Sequence, residues 1–236
     1  MTTIKIIKWI AIIAMTFDHI AYHLLPEGII YDIFRDIGRV AYPLFAFMIA
    51  EGFRHTHNVW RYLGRLFFAA LISEAVIFIV FLTTGDASNF LSTNVFIPLV
   101  MGLVTIIFIF HKKWFVKMLI LPVLVLSYIL PLQYGLYGVL MILIFGVLPN
   151  RWLQLTAFVI MSLFFIEWPM LSLLDWDARY LGISQWFSLL AFIPIFLYNG
   201  RLGKYNKWFF YIYYPFHIAI IFIIKTNILS QFISLK

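Results

Sequence analysis

The sequence predicts an all-α polytopic membrane protein, a bundle of about nine transmembrane helices (range eight to ten) with its N-terminus in the cytoplasm. Three observations carry this expectation. Hydrophobic residues make up 64% of the 236 residues and charged residues only 11%, against roughly 45–50% and 25% in soluble domains. Mean hydropathy is +0.99. The apolar residues also fall in long runs, the pattern of membrane helices of about 20 residues. Residues 1–236 read as one transmembrane domain, with no soluble domain, low-complexity tract or clear internal repeat.

The spans fall at 4–25, 39–53, 62–82, 93–111, 114–131, 134–149, 152–170, 183–199 and 208–228. The second, sixth and eighth are short, which suits tilted partners or one re-entrant segment covered by protein. The breaks are Pro26–Gly28, Thr83–Asn89, His111–Lys113, Pro131, Pro149–Arg151, Leu171–Asp177 and Asn199–Asn206. The first apolar run continues to Leu25 with Asp18 and His19 inside it, so it does not read as a cleavable signal peptide.

Charge supplies the orientation. The chain has 17 basic and 10 acidic residues, a net charge of +7. In a membrane protein these are loop anchors on an anionic face rather than a nucleic-acid surface. With the N-terminus inside, cytoplasmic ends carry Lys5, Lys8, Arg54, Arg61, Arg65, Lys112, Lys113, Lys117, Arg151, Arg201, Lys204 and Lys207. Arg35, Arg39, Arg179, Lys225 and Lys236 fall outside, with Glu27, Asp32, Asp36, Asp86, Asp175 and Asp177. The absence of cysteine excludes disulfides, thiolate zinc sites and a cysteine nucleophile.

Ionisable residues within spans cost several kcal/mol on insertion scales, roughly 2.5–3.5 each at a helix centre, and need a reason. The first span holds Asp18, His19 and His23. His19 lies about 16 Å deeper than Lys8 at 1.5 Å per residue. Met15, His19 and His23 share a face, and Asp18 and Tyr22 point about 100° away. A neutral histidine in an apolar site offers a lone pair for general-base work; the structural alternative is a hydrogen bond across the bundle. His19 and His23 at i, i+4 also have metal-ligand spacing, but no HExxH or third ligand accompanies them, and no metal is expected.

Arg39 and Glu51 lie at opposite ends of the second span, as a cavity lining or as structural ion pairs. Arg54, His55, His57, Arg61 and Arg65 cluster at the cytoplasmic face, where guanidinium groups suit phosphates; ordinary positive-inside anchoring is the alternative. Ser73 and Glu74 lie within the third span. No GxSxG or Walker sequence is present, so serine hydrolase and P-loop readings lack support. The last span holds Tyr211, Tyr213, Tyr214, Pro215 and His217, with Pro215 breaking one helix bond near a second buried histidine.

Taken together, the chain resembles the TraX family of integral-membrane proteins. The matching pieces are Lys8 to His19, ending in Met-Thr-Phe-Asp-His; the block Gly-Arg-Val-Ala-Tyr-Pro-Leu-Phe-Ala-Phe-Met-Ile-Ala-Glu-Gly-Phe-Arg-His-Thr-His-Asn over 38–58; and Arg-Tyr-Leu-Gly-Arg-Leu over 61–66. Asn94-Val95 leading to Gly102, Tyr134-Gly-Leu-Tyr-Gly138, Tyr198-Asn-Gly200 and Phe-Tyr-Ile-Tyr-Tyr-Pro-Phe-His217 follow in family order. Phe17 and Ile97-Pro98 depart from the family pattern away from the expected chemistry.

The resemblance implies acyl transfer. The founding member is associated with N-terminal acetylation of conjugative pilin, and the family is similar to the integral-membrane acyltransferases, whose first helix carries a histidine with a basic residue some ten positions earlier. Lys8 and His19 match that pattern. The implied function is transfer of an acetyl (acyl) group from cytoplasmic acyl-CoA to an amine or hydroxyl on the outer side of a bacterial cytoplasmic membrane. The acceptor would be a peptide, pilin or lipoprotein N-terminus, a sugar or a lipid. On this reading His19 is the general base and Asp18 tunes it. Arg39, Glu51 and His217 complete the catalytic set. Lys8, Arg54, Arg61 and Arg65 hold acetyl-CoA, and His23, Tyr42 and Tyr214 line the cavity. The rival is a proton-coupled transporter or export partner, since buried Asp, His and Glu also build proton relays; paired broken helices in an inverted repeat would favour it, and none is visible. A structural assembly partner is a third reading.

Overall fold

The computed structural model describes residues 1–84, 94–167, 183–204 and 207–234. Among these the regular elements are helical: α1 (Ile4–Leu24), α2 (Ile29–Gly38), α3 (Ala41–His55), α4 (Val59–Thr84), α5 (Phe96–Ile109), α6 (Trp114–Met118), α7 (Ile120–Ile129), α8 (Gly135–Val147), α9 (Arg151–Glu167), a 3-10 helix (Ile183–Ala191), α10 (Phe192–Phe196) and α11 (Lys207–Ser234). The expected loop residues Asp86, Asp175, Asp177, Arg179 and Lys236, with residue 93 and the span end 168–170, lie outside the described residues.

Among the described residues two helices are long and apolar enough to cross a membrane, Val59–Val80 within α4 and Phe209–Thr226 within α11. Phe96–Ile109, Trp114–Ile129, Gly135–Val147, Arg151–Ile166 and Ser184–Phe196 are apolar but run only 10–17 residues. α1 has 21 residues and carries Lys5, Lys8 and Asp18 along its length.

Two differences from the expected spans have local causes. No span is expected between residues 26 and 38, yet α2 forms there. Its apolar Ile29, Ile30, Ile33 and Ile37 are exposed on one side, and Asp32, Arg35 and Asp36 interrupt them. This is helix periodicity in a segment too short and charged to read as a span. The expected 114–131 span is divided at Leu119 into α6 and α7. Pro122 has no N–H to offer the carbonyl four residues earlier, and its ring collides with that carbonyl.

The centre is built by α1, α3, α5 and α8, with α4 and α11 closing one side. α5 and α8 approach through glycines. A Cβ on Gly102 would stand 2.3 Å from Ile142 Cδ1, and one on Gly146 would stand 2.3 Å from Ile106 Cδ1. Small residues allow such close helix contact. The start of α1 is tied to the segment after α10 by backbone bonds from Thr2 N–H to Leu197 O (2.9 Å), Asn199 N–H to Thr2 O (3.0 Å) and Ile4 N–H to Arg201 O (3.0 Å). The exterior is strongly apolar, with Ile13, Phe68, Ile72, Leu121, Ile160, Ile212, Phe216 and Ile223 each about half exposed or more.

Candidate functional site

A cavity of about 360 Å³ runs between α1, α3, α4, α5 and α11. Lys8, His55, His57, Asn58, Arg61 and Arg65 line one part of it. Apolar Ile12, Phe45, Met48, Leu66 and Leu99 line the middle, and Met15, Val95, Tyr213 and Tyr214 lie toward the other end. Ile4 and Met15 both line it, so it follows α1 for about 16 Å at 1.5 Å per residue. Arg61 and Arg65 stand one turn apart on α4. Arg65 Nε is buried without a hydrogen-bond partner, while the rest of its guanidinium is held by the Tyr211 hydroxyl and lies over the Tyr62 ring at 5.9 Å.

Past Met15 lies a second space of about 20 Å³, lined by Met15, Asp18, His19, Ala41, Tyr42, Phe45, Val95, Gln133, Tyr134 and Tyr214. It shares Met15, Phe45, Val95 and Tyr214 with the main cavity. His19 therefore stands in a small chamber separated by shared wall residues from a long cleft whose far mouth is basic.

His19 is held by α11. Its Nδ1 lies 2.7 Å from His217 Nε2, and the two rings are parallel with centroids 5.0 Å apart. His217 Nδ1 lies 3.0 Å from the carbonyl oxygen of Tyr213. A carbonyl can only accept, so His217 Nδ1 carries the hydrogen, and its Nε2, in the neutral ring, is an acceptor. His19 Nδ1–H must then donate to it. The neutral His19 ring is thereby left with its lone pair on Nε2, the tautomer a general base needs. One turn below, Thr16 Oγ1 donates to Ile12 O (2.8 Å), so the Tyr213 hydroxyl 2.8 Å away donates to Thr16. This second link fixes α11 against α1.

The chamber wall is set by a buried relay between α4 and α5. Asn94 donates to Ala70 O (2.9 Å) and Glu74 Oε2 (2.7 Å) and accepts from Phe96 N–H (3.0 Å). That pins Val95, whose N–H donates to the Tyr214 hydroxyl at 3.2 Å. Tyr214 is thus braced where the two cavities meet.

Three expected residues are held in ion pairs. Asp18 lines the chamber with His19, and its Oδ1 receives Arg35 Nη1 (2.7 Å) and Arg39 Nη2 (3.1 Å). Adjacent residues diverge by about 100° on a helix, and that turn takes the carboxylate toward α2. Arg39 is engaged there and at Arg35 O (3.3 Å), outside the residues lining either cavity. Arg54 is not at the basic mouth. It pairs with Glu51 at 2.6 Å and donates to the carbonyls of Phe145 and Gly146, the C-terminal end of α8, where a cation is favoured.

Glu51 borders the main cavity, but its carboxylate also faces Arg151 and His55, both at 3.7 Å, so it reads as an ion-pair hub. His23 packs on Phe222, with ring centroids 4.7 Å apart, beyond the chamber lining. Lys8, Arg61, Arg65, Tyr42 and Tyr214 line the cavity walls.

Gln133, Asn94 and Arg151 carry no expected site role, yet Gln133 lines the chamber, Asn94 braces its wall and Arg151 faces Glu51. Gln133 immediately precedes Tyr134-Gly-Leu-Tyr-Gly138. Tyr134 has φ 62° and Gly135 φ 37°, two successive left-handed residues that turn the chain into α8. A non-glycine residue in that region is uncommon and worth examining.

A sequence model of the family described as "TraX protein" matches residues 3–225. The chain is 32% identical over 235 residues to a probable fimbrial assembly protein FimC, serogroup H1, of Dichelobacter nodosus, an alignment covering 91% of this chain and 92% of that one. It is 33% identical over 97 residues to an uncharacterized protein of Rickettsia prowazekii (strain Madrid E), covering 41% of this chain and 34% of that protein. No solved structure matches.

Proposed function

The chain belongs to the TraX family, and on that footing we propose that it is a polytopic membrane acyltransferase moving an acetyl or other acyl group from cytoplasmic acyl-CoA to an acceptor on the outer side. The observation that carries this is His19 in a small chamber that shares the walls Met15, Phe45, Val95 and Tyr214 with a long cavity whose mouth is basic. An acyl-CoA is a charged head joined to a reactive thioester by a long flexible arm. The mouth suits the phosphates and the apolar cleft suits the arm. The chamber suits the thioester, beside a histidine whose tautomer is set. Arg65 Nε, buried and unpartnered, fits an anionic ligand at that mouth.

The membrane reading rests on the apolar exterior and the two helices of spanning length. The shorter apolar helices pack on one another, as tilted or re-entrant elements do. Lys5, Lys8, Arg54, Arg151 and Arg201 would then mark the cytoplasmic end. A relative is described as a fimbrial assembly protein, and a pilin N-terminus is accordingly the first acceptor to try.

The test is release of free CoA from acetyl-CoA by the detergent-purified protein, with peptides carrying a free N-terminus as acceptors. Release that needs the acceptor is the expected result. Failure to bind CoA, together with no release from any acyl-CoA, would overturn the reading and turn attention to transport. The mouth makes a separate prediction. Arg61→Ala and Arg65→Ala are each expected to weaken CoA binding about tenfold, or about 1.4 kcal/mol. Arg54→Ala should leave CoA affinity within about twofold and lower the melting temperature instead. Equal loss of CoA affinity in all three would place Arg54 back at the mouth.

A further inference from the structure

We propose that Tyr42, with the N-terminal end of α8 behind it, forms the site that holds the acyl carbonyl oxygen during transfer. The proposal rests on the acyltransferase reading above. Tyr42 is 1% exposed, and its hydroxyl is buried without a hydrogen-bond partner. A buried hydroxyl without a partner is destabilising, so its orphaned state calls for an explanation. The ring is not free to swing away: it stacks on Tyr134 with centroids 4.1 Å apart.

The hydroxyl also has a defined place. A Cβ on Gly138 would stand 2.4 Å from Tyr42 Oη, so the hydroxyl lies against the first turn of α8 (Gly135–Val147), and only glycine leaves room for it. The first turn of a helix carries partial positive charge; in α8 the Gly135 and Gly138 amides already donate to Leu132 O (3.0 Å) and Tyr134 O (2.7 Å), so the helix end acts on the hydroxyl through its field. Tyr42, Gln133 and Tyr134 line the same 20 Å³ chamber as His19. The His19 and Tyr42 side chains therefore border one space too small for much more than a carbonyl group, and the Tyr42 hydroxyl, lying against Gly138, is the unused donor nearest to it.

The step balances as follows. The acceptor's N–H or O–H gives its proton to His19 Nε2 as its lone pair forms a bond to the thioester carbon. The C=O π pair moves onto oxygen, and the Tyr42 O–H donates to that oxyanion. The C=O bond then re-forms, the C–S bond breaks with its electron pair on sulfur, and the imidazolium returns the proton to give CoA thiol. Donors that meet an oxyanion in a dry site are worth about 10²–10³ in rate. Ring packing, the purely structural role for Tyr42, predicts nothing for its hydroxyl.

The experiment is Tyr42→Phe, which keeps the ring and removes only the unpaired hydroxyl. Its melting temperature should equal or exceed that of wild type. Turnover should fall about a hundredfold, with CoA affinity within about twofold. A second measurement does not depend on turnover: S-acetonyl-CoA, which places a ketone where the thioester carbonyl would be, is bound with a ¹³C-labelled carbonyl and read by infrared difference spectroscopy. Wild type should lower the carbonyl stretch relative to solution, and Tyr42→Phe should abolish most of that shift. Gly138→Ala, which drives a methyl into the hydroxyl's position, should abolish it as well. Binding of the ketone analogue with the same stretch in wild type and Tyr42→Phe would overturn this proposal while leaving the acyltransferase reading standing. Failure of the wild-type protein to bind either CoA or S-acetonyl-CoA would overturn both.

Discussion

His19→Gln is expected to lower acyl transfer by about a thousandfold while leaving melting temperature and CoA affinity close to wild type. A positioned general base contributes about 10²–10⁴ in rate, and glutamine has no basic lone pair. Its amide N–H can still donate toward His217 Nε2, which His19 Nδ1 meets at 2.7 Å, so the buried acceptor keeps a partner. His19→Ala should lose the same activity and also about 1–3 kcal/mol of stability, because it strands that acceptor. The pair of variants separates chemistry from packing. If His19 were only a cross-bundle hydrogen bond, glutamine would retain function and alanine would lose stability alone. His217 acts one atom further back. It holds the His19 tautomer through Tyr213 O, and His217→Gln is expected to cost about 10–100-fold in rate, the usual loss for an outer orienting partner, without affecting CoA binding.

The helices that build the site were largely readable, because α1, α3, α5, α8 and α11 are apolar runs bounded by polar breaks. The depth of His19 followed from helix rise, and the wheel already placed Asp18 and His19 on different faces. The partner of Asp18 was not readable. It lies on α2, whose charged residues break the apolar run and hide its helical period. Arg54 misled for a related reason. Proximity along the chain groups it with Arg61 and Arg65, but it sits at the end of α3, three residues after Glu51, and reaches across to the carbonyl end of α8. The unpaired hydroxyl of Tyr42 was invisible because a missing hydrogen bond is a property of packing. It arises where α3 meets Gly138, and neither segment alone announces it.

Asp18→Asn is the substitution with the largest expected cost in stability, about 3–5 kcal/mol, the range for removing one partner from a buried charge group. The Asp18 side chain is 10% exposed and that of Arg39 7%. The asparagine side chain would keep the shape and accept one N–H, but Arg39 would stay charged, with its carboxylate gone. Gly38 is pressed onto this residue: a Cβ there would stand 2.4 Å from both Asp18 Cβ and Oδ1. Loss of the charge therefore loosens the whole junction between α1 and α2, and with it the turn into α3 that carries Tyr42. Asp18→Asn combined with Arg39→Gln should recover part of the melting temperature, since the neutral pair leaves one fewer buried cation unmatched. The junction adjoins the His19 chamber, on the side away from the basic mouth. If it seals the chamber against water, Asp18→Asn should raise hydrolysis of acetyl-CoA relative to transfer in the fraction that remains folded, because thioester chemistry depends on a dry site. A variant that kept its full melting temperature and lost transfer without gaining hydrolysis would instead give Asp18 a part in the chemistry, the role its salt bridges to Arg35 and Arg39 argue against.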